Sequence, residues 1–543
     1  MSRSAVLAQL VPPVEERIRA IEAEPLPHNL ASLLAEAAAD TPDAPALDAF
    51  EDGERLTYAE LNDRVLRLAR GLTAIGIGRD AHVGVMLGNG IAFPITWLAL
   101  ARLGAVMIPM NPAYTAREVD YLVANGEVGW LCVDARHLDT IGALEKQVSP
   151  ARLIVLGETT AAPAHDWHAV ARGSDAALPP LESIDRDALM NIQYTSGTTG
   201  FPKGCMLTQR YWLTIGKVNA RRDGRHYKRI LAATPFFYMD PQWQLTMAFY
   251  GRGCLYLARR QSASRFMGWV RQHRIQFALL PEIVFKQPPS PEDRDNEVIR
   301  FNVYGLSKQV HAAVEERFDV VAREAFGMTE IGSGAFMPME AVDMIGSGAC
   351  GRPSPFRELR IIDEQGRTLG PNEPGELVVR GPGILLGYYG NPEATKNAFI
   401  DGWFRTGDVA RRDERGYFYI VGRLKEMIRR AGENISAREV EAVLRMMPEV
   451  ADAAAVPVPD ASRGEEVKVY VVLKPGITAE ALPPPTIAAH CEQNLARFKV
   501  PRYYTYRDAL PKTPSDKIAK HKLVAELPDL RQGAYDRIDN CWR

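Results

Sequence analysis

The chain has 543 residues, 46% apolar and 24% charged, with a formal net charge of −2. A single core stops growing at roughly 250–300 residues, so this length predicts two or three core units. The balanced charge gives no global sign of a nucleic-acid binder, which would need a basic face.

The most apolar run, Ile91 to Met110, is interrupted by Pro94, Arg102 and Pro109, so it reads as a buried helix and turn and not as a membrane span. The opening "MSRSAVLAQLVPPVEERIRA" has no continuous apolar core and does not read as a signal peptide. The six cysteines, Cys132, Cys205, Cys254, Cys350, Cys491 and Cys541, show no metal-ligand spacing and suit a reducing cytoplasm.

In chain order, "LTYAELNDRVLRLARGLTAIGI" comes first, with Thr57 three residues before Glu60, a capping box. Leu61, Val65, Leu68 and Leu72 then fall on one helical face. "HVGVMLG" from His82, "WLCVDA" from Trp130 and "LIVLG" from Leu153 are short apolar runs bounded by turn residues. The rhythm resumes with "CLYLA" from Cys254 and "FALLP" from Phe277. Such alternation predicts an α/β architecture with a largely parallel sheet. From about Arg352, "ELRIIDEQGRTLGPNEPGELVVRG" changes to strands separated by Gly/Pro/Asn turns, an antiparallel β unit. Beyond Lys425, helical and strand patterns alternate in a compact α+β unit.

One loop stands out. "YTSGTTGFPKG", from Tyr194 to Gly204, combines three glycines, two Ser/Thr pairs and Lys203. Glycines let backbone N–H groups approach an anion, and hydroxyls and a lysine add donors and charge, which suits phosphates. The loop lacks the Gly-Lys-Ser/Thr ending of the Walker A loop, and the same composition also suits a surface turn.

Four further segments follow it: "FGMTE" (Phe326 to Glu330), "GWFRTGD" (Gly402 to Asp408), "GYFYIVGRLKEMIRRAGENIS" (Gly416 to Ser436) and "LPKTPSDKIAK" (Leu510 to Lys520). In this order, over about 320 residues, the five resemble the acyl-adenylate-forming enzymes, which include acyl-CoA synthetases. The resemblance implies a large N-terminal domain of interleaved α/β subdomains plus a β unit, residues 1–424. A small mobile α+β domain would follow at 425–543, turning about a hinge at Lys425. It implies ATP, Mg²⁺ and coenzyme A as cofactors and a small-molecule carboxylic acid as substrate. It admits a homodimer and implies neither a nucleic-acid partner nor a membrane span.

Residue by residue, the resemblance gives Thr195, Ser196, Gly197, Thr198, Thr199, Gly200 and Lys203 to the ATP phosphates, and Glu330 with Thr198 to Mg²⁺. Thr329 would contact the α-phosphate, and Gly305, Phe326 and Gly327 would border the adenine. Asp408 and Arg423 would hold the ribose, and Lys517 would bridge carboxylate and α-phosphate during adenylation. Arg430, Gly432, Arg497 and Lys499 would line the coenzyme A path. The basic run "ARRDGRHYKR" from Ala220 is a further candidate for the CoA nucleotide.

Several positions depart from the pattern. Tyr238, in "TPFFYMDPQWQ", replaces a histidine beside the acyl pocket; with Asp240 and Gln242 the segment looks most like the crotonobetaine/carnitine-CoA ligase branch. Tyr238, Asp240 and Trp243 are the acyl-pocket candidates. An aromatic lining with one acid suits a quaternary ammonium, while Phe236, Phe237, Tyr238, Met239 and Trp243 equally suit a bulky apolar acid or plain core. "VYGLSKQV" stands in place of a Gly-Ala-Pro-like adenine turn, Ala431 replaces a glycine, and Asp516 replaces the glycine before Lys517.

These residues predict an acid–thiol ligase that forms an acyl-CoA through an acyl-AMP. The alternatives are a thioesterification-only ligase that uses a preformed adenylate, an adenylating enzyme loading a carrier protein, a luciferase-type oxygenase, and a nucleotide-binding module without turnover.

Overall fold

The computed structural model describes residues 6, 11–145, 148–159, 164–195, 202–306, 308–363, 365–423, 427–512, 518 and 520–543. Two parallel-cored sheets carry the larger part of the chain. In the first, six strands are parallel, from His165–Asp166 at one edge to Leu189–Thr195, and Lys203–Thr208 adds antiparallel at the other edge. The second has nine strands. Its six central ones, from Pro45–Ala49 to Ala322–Met328, are parallel, with antiparallel strands at both edges.

The strands expected from His82, Trp130, Leu153, Cys254 and Phe277 are all present. So is the capping box: Glu60 N donates to Thr57 Oγ1 at 3.2 Å, and Thr57 N donates to Glu60 Oε2 at 2.8 Å. Leu61, Val65, Leu68 and Leu72 are buried. The apolar run from Ile91 forms a buried helix, Ala92–Leu103, and then a core strand, Val106–Pro109, where the sequence suggested only a turn. Gly104, in the left-handed region, makes the reversal between them.

A five-stranded antiparallel sheet spans Glu358–Ile362 to Phe418–Arg423. All seven strands of the last sheet come from residues from Met427 onward, and they enclose a separate apolar core that includes Ile428, Val440, Val469 and Tyr504. This C-terminal part meets the rest of the chain at several polar contacts. Tyr238 Oη donates to Glu433 Oε2. Arg117 Nη1 donates to Asn494 Oδ1 at 3.0 Å, and Lys286 Nζ donates to the Ala461 carbonyl at 3.0 Å.

Candidate active site

The hairpin of Leu189–Thr195 and Lys203–Thr208 sets Thr195 opposite Lys203 across the ladder. Residues 196–201 between them, including Ser196, Gly197, Thr198, Thr199 and Gly200, lie outside the described residues, as do Lys425, Asp516 and Lys517. The Lys203 ammonium sits over the Tyr388 ring, 4.6 Å from its centroid. Tyr388 Oη donates to Glu330 Oε1 at 3.2 Å, and Leu385 N donates to the Glu330 carbonyl at 2.8 Å. Sequence reasoning missed Tyr388, which links the lysine and the acid that the motifs had singled out separately.

Beneath this group lies Cys205, 0% exposed, with its Sγ 3.9 Å from Thr195 Oγ1. Burial, and then the Glu330 charge, push its thiol well above the ordinary range. Thr329, next to Glu330, donates from Oγ1 to Met239 Sδ at 3.7 Å, which joins the phosphate candidates to the segment that carries the acyl-pocket candidates.

Among the adenine candidates, Gly305 follows the strand Arg300–Val303 with φ +67°. Gly305 N and Leu306 N donate to Glu324 Oε2 and Oε1 at 2.8 and 3.0 Å. A carboxylate clamp thus fixes the turn that the unusual "VYGLS" left open. Its signal in sequence was slight, a single Glu before "AFGMTE". Phe326 is half-buried against the main core and Gly327 is exposed. Asp408 is buried on the long strand Trp403–Arg412 and lies opposite Arg423 in the ladder, so the two ribose candidates share one rung. Thr406 Oγ1 accepts from Asp408 N at 3.1 Å.

The aromatic segment after Pro235 is only partly core. Phe236 and Trp243 are buried in the core, Trp243 edge-on to Phe277, while Phe237, Tyr238 and Met239 are half-buried. Asp240 opens the helix Met239–Gly251 and accepts from Trp243 Nε1 at 3.0 Å. Burial raises its carboxyl above the usual range, with the indole bond partly opposing. Among the described residues no Lys, Arg or His forms an ion pair with it. Tyr304, beside Asn302, is within electrostatic reach of it.

The coenzyme A candidates separate in the same way. Gly432 is exposed with φ +85°, at the turn of the hairpin Met427–Arg430 and Glu433–Ser436, and Arg497 is exposed. Arg430 donates to Glu466 Oε2 at 2.6 Å, and Lys499 is buried between Glu439 and Glu118. The run from Ala220 is not one surface patch. Arg222 and Asp223 are buried, with Arg222 Nη2 donating to Asn302 Oδ1 at 2.9 Å and Asp223 Oδ1 accepting from Arg300 at 2.5 Å. Desolvation lowers Arg222 to about 10.

The donor set fits a magnesium nucleotide. A carboxylate oxygen suits a hard cation, hydroxyls and a lysine suit phosphates, and a buried acid on a strand end suits ribose hydroxyls.

Residues 34–389 match the AMP-binding enzyme family, and residues 439–517 match the AMP-binding enzyme C-terminal domain. The chain belongs to this family. It is 33% identical to a sulfoacetate–CoA ligase of Cupriavidus necator over 91% of this chain and 97% of that one. It is equally 33% identical to a crotonobetaine/carnitine–CoA ligase of Citrobacter koseri over 87% of this chain and 95% of that one. Among solved structures, o-succinylbenzoate-CoA synthetase from Bacillus subtilis, a double mutant with its product analogue, aligns at TM-score 0.78 and 24% identity over 90% of this chain and 97% of that one. The same enzyme with its acyl-adenylate aligns at 0.64, with the same identity and coverage.

This family member is an acid–thiol ligase using ATP, Mg²⁺ and coenzyme A. The substrate carboxylate attacks the α-phosphorus of ATP and pyrophosphate leaves. The CoA sulfur then attacks the acyl carbon, the C–O bond to AMP breaks, and AMP leaves with the electron pair. Among the described residues no helix is long and apolar enough to cross a membrane.

Proposed function

We propose that this ligase activates an acid bearing a cationic group remote from its carboxylate, with Asp240 as the counter-ion. The observation that carries this is the acid itself: a half-buried carboxylate at the start of the helix Met239–Gly251, held by one indole N–H and forming an ion pair with no Lys, Arg or His among the described residues. A partly desolvated carboxylate with no counter-ion is costly, and a cationic ligand would relieve that cost. The Phe237 and Tyr238 rings, with centroids 4.5 Å apart, offer π faces to the same cation. Of the two relatives' substrates, crotonobetaine/carnitine carries such a cation, whereas a sulfonate would be repelled by Asp240.

In this reading Lys203, Thr195 and the hydroxyls of 196–199 hold the ATP phosphates, and Glu330 with Thr198 holds Mg²⁺, which neutralises phosphate charge as it develops. Thr329 contacts the α-phosphate, Gly305, Phe326 and Gly327 the adenine, and Asp408 with Arg423 the ribose. Lys517 serves adenylation. The domains part at 424/425, with Lys425 as hinge, and six free cysteines fit a cytoplasmic setting. The arrangement described here is the thioester-forming one. The hairpin carrying Gly432 reaches the acyl pocket through Glu433 and Tyr238, and the fold overlaps the product-analogue form better than the adenylate form.

The test compares 4-(trimethylammonio)butanoate with its neutral isostere, 5,5-dimethylhexanoate, by mass spectrometry of acyl-AMP and acyl-CoA. Wild type is expected to prefer the cation by about 10- to 100-fold in kcat/KM, and Asp240→Asn to lose most of that preference. Equal use of the two acids, or a preference unmoved by Asp240→Asn, overturns the assignment.

A further inference from the structure

Lys499 is 3% exposed, yet two carboxylates share its ammonium. Glu439 Oε1 lies 2.8 Å from Nζ and belongs to the same C-terminal part; Glu118 Oε1 lies 3.0 Å away and belongs to the large part. Tyr114 supplies a ring face 4.9 Å from the ammonium. Burial works against the charge, but Glu439, Tyr114 and Glu118 together hold the ammonium well above its ordinary value. Such a lysine has no charge left for a coenzyme A phosphate.

Glu118 is already fixed before Lys499 arrives. It is the acid of a capping box at the start of the helix Ala116–Asn125. Its Oε2 accepts from Thr115 N at 2.9 Å and from Thr115 Oγ1 at 3.0 Å, which leaves Oε1 directed at the lysine. A preorganised acceptor loses little side-chain freedom on docking. On the other side, Glu439 keeps Lys499 paired within its own domain. The carboxylates outnumber the lysine, and Glu439 Oε2 has no hydrogen-bond partner among the described residues. Separation of the domains therefore breaks one ion pair and strands neither residue: Glu118 stays in its cap and Lys499 stays with Glu439.

We propose that Lys499 is a positioning residue for the thioester half of the reaction, docking the C-terminal domain through Glu118 so that the Glu433 hairpin stays at the acyl pocket. The proposal rests on the reading of this arrangement as the thioester-forming one. Arg117 Nη1, donating to Asn494 beside it, extends the same contact.

The test measures CoA binding in the presence of AMP, and ATP binding separately, by calorimetry on the full chain. Glu118→Gln keeps an amide oxygen for the Thr115 cap, so ATP affinity is not weakened, while the Kd for CoA rises about 10-fold, ~1.4 kcal/mol. Lys499→Met weakens CoA binding at least as much, and the double variant loses no more than Lys499→Met alone, the non-additivity of residues acting through one contact. A change under twofold in Glu118→Gln, or additive losses in the double variant, overturns the latch. X-ray scattering of the wild type with AMP and CoA checks the premise separately. A profile that departs from this structure rejects the thioester-forming reading and the latch with it, whereas a matching profile with unchanged Glu118→Gln binding rejects the latch alone.

Discussion

Tyr238 and Glu433 are 195 residues apart in the chain and joined by a hydrogen bond from phenol to carboxylate. Burial raises Glu433 above the usual carboxyl range, and the Tyr238 hydroxyl partly opposes that shift. Removal of the donor would leave a desolvated carboxylate, and a hydrogen bond to a charged group contributes about 1.5–3 kcal/mol. Tyr238→Phe is therefore expected to slow acyl-CoA formation from supplied acyl-adenylate about tenfold or more. The loss should exceed that in ATP–pyrophosphate exchange, and the two assays run side by side give the ratio.

Glu330 is held at its backbone by Leu385 and at its side chain by Tyr388. As the proposed magnesium ligand it matters most while pyrophosphate is leaving. Glu330→Gln keeps the shape and removes the charge. Adenylation should fall at least 100-fold, with a higher magnesium requirement, while thioester formation from supplied acyl-adenylate falls much less. Equal losses in both half-reactions would remove Glu330 from that role.

Sequence motifs reached the parallel sheets, the antiparallel unit, the separate C-terminal core and the family itself, because each rests on local periodicity or on residues close together in the chain. Lys203 and Glu330 were legible; their connection through Tyr388 was not, since the link depends on chain crossing from the antiparallel region. Glu324, Glu433 and Glu118 escaped for the same reason. Each is an ordinary acid in sequence, and its task appears only when a turn, a facing tyrosine or a lysine from another domain is brought to it. Lys499 was read as a charge for coenzyme A because sequence cannot say that two carboxylates already surround it.

Ala431 has φ +50°, where its neighbour Gly432 also sits in the left-handed region at +85°. A side chain costs about 1–2 kcal/mol there, partly offset by the extra unfolded-state freedom of glycine. Ala431→Gly is expected to stabilise the C-terminal domain by about 0.5–1 kcal/mol, read from denaturant unfolding of the full chain. A destabilised variant would mean that the Ala431 methyl makes a contact worth more than the strain.

Lys468 lies buried on the strand Gly464–Leu473, its ammonium donating to the Leu530 carbonyl at 2.6 Å. Burial, and then the neighbouring Arg507 charge, lower it from 10.5 to about 8. The folded state thus disfavours the proton. Below pH 8 the lysine is charged in both states and the penalty is full; between about pH 8 and 10.5 the unfolded chain binds more proton, so stability rises with pH. The shift corresponds to a penalty on the order of 3 kcal/mol. Lys468→Met should therefore be more stable than wild type at pH 7, and the gap should narrow as pH rises from 8 to 10.5. Parallel melting curves would reject this if the gap were constant.

Cys205 adds a consequence for the chemistry as a whole. An acyl-adenylate is a strong electrophile, and the fold places a thiol of its own within the hairpin proposed to hold the ATP phosphates. Only a thiolate would compete with coenzyme A, and complete burial next to the Glu330 charge keeps Cys205 protonated. The enzyme is thereby protected from acylating itself, and the activated acyl group is left for the sulfur that diffuses in.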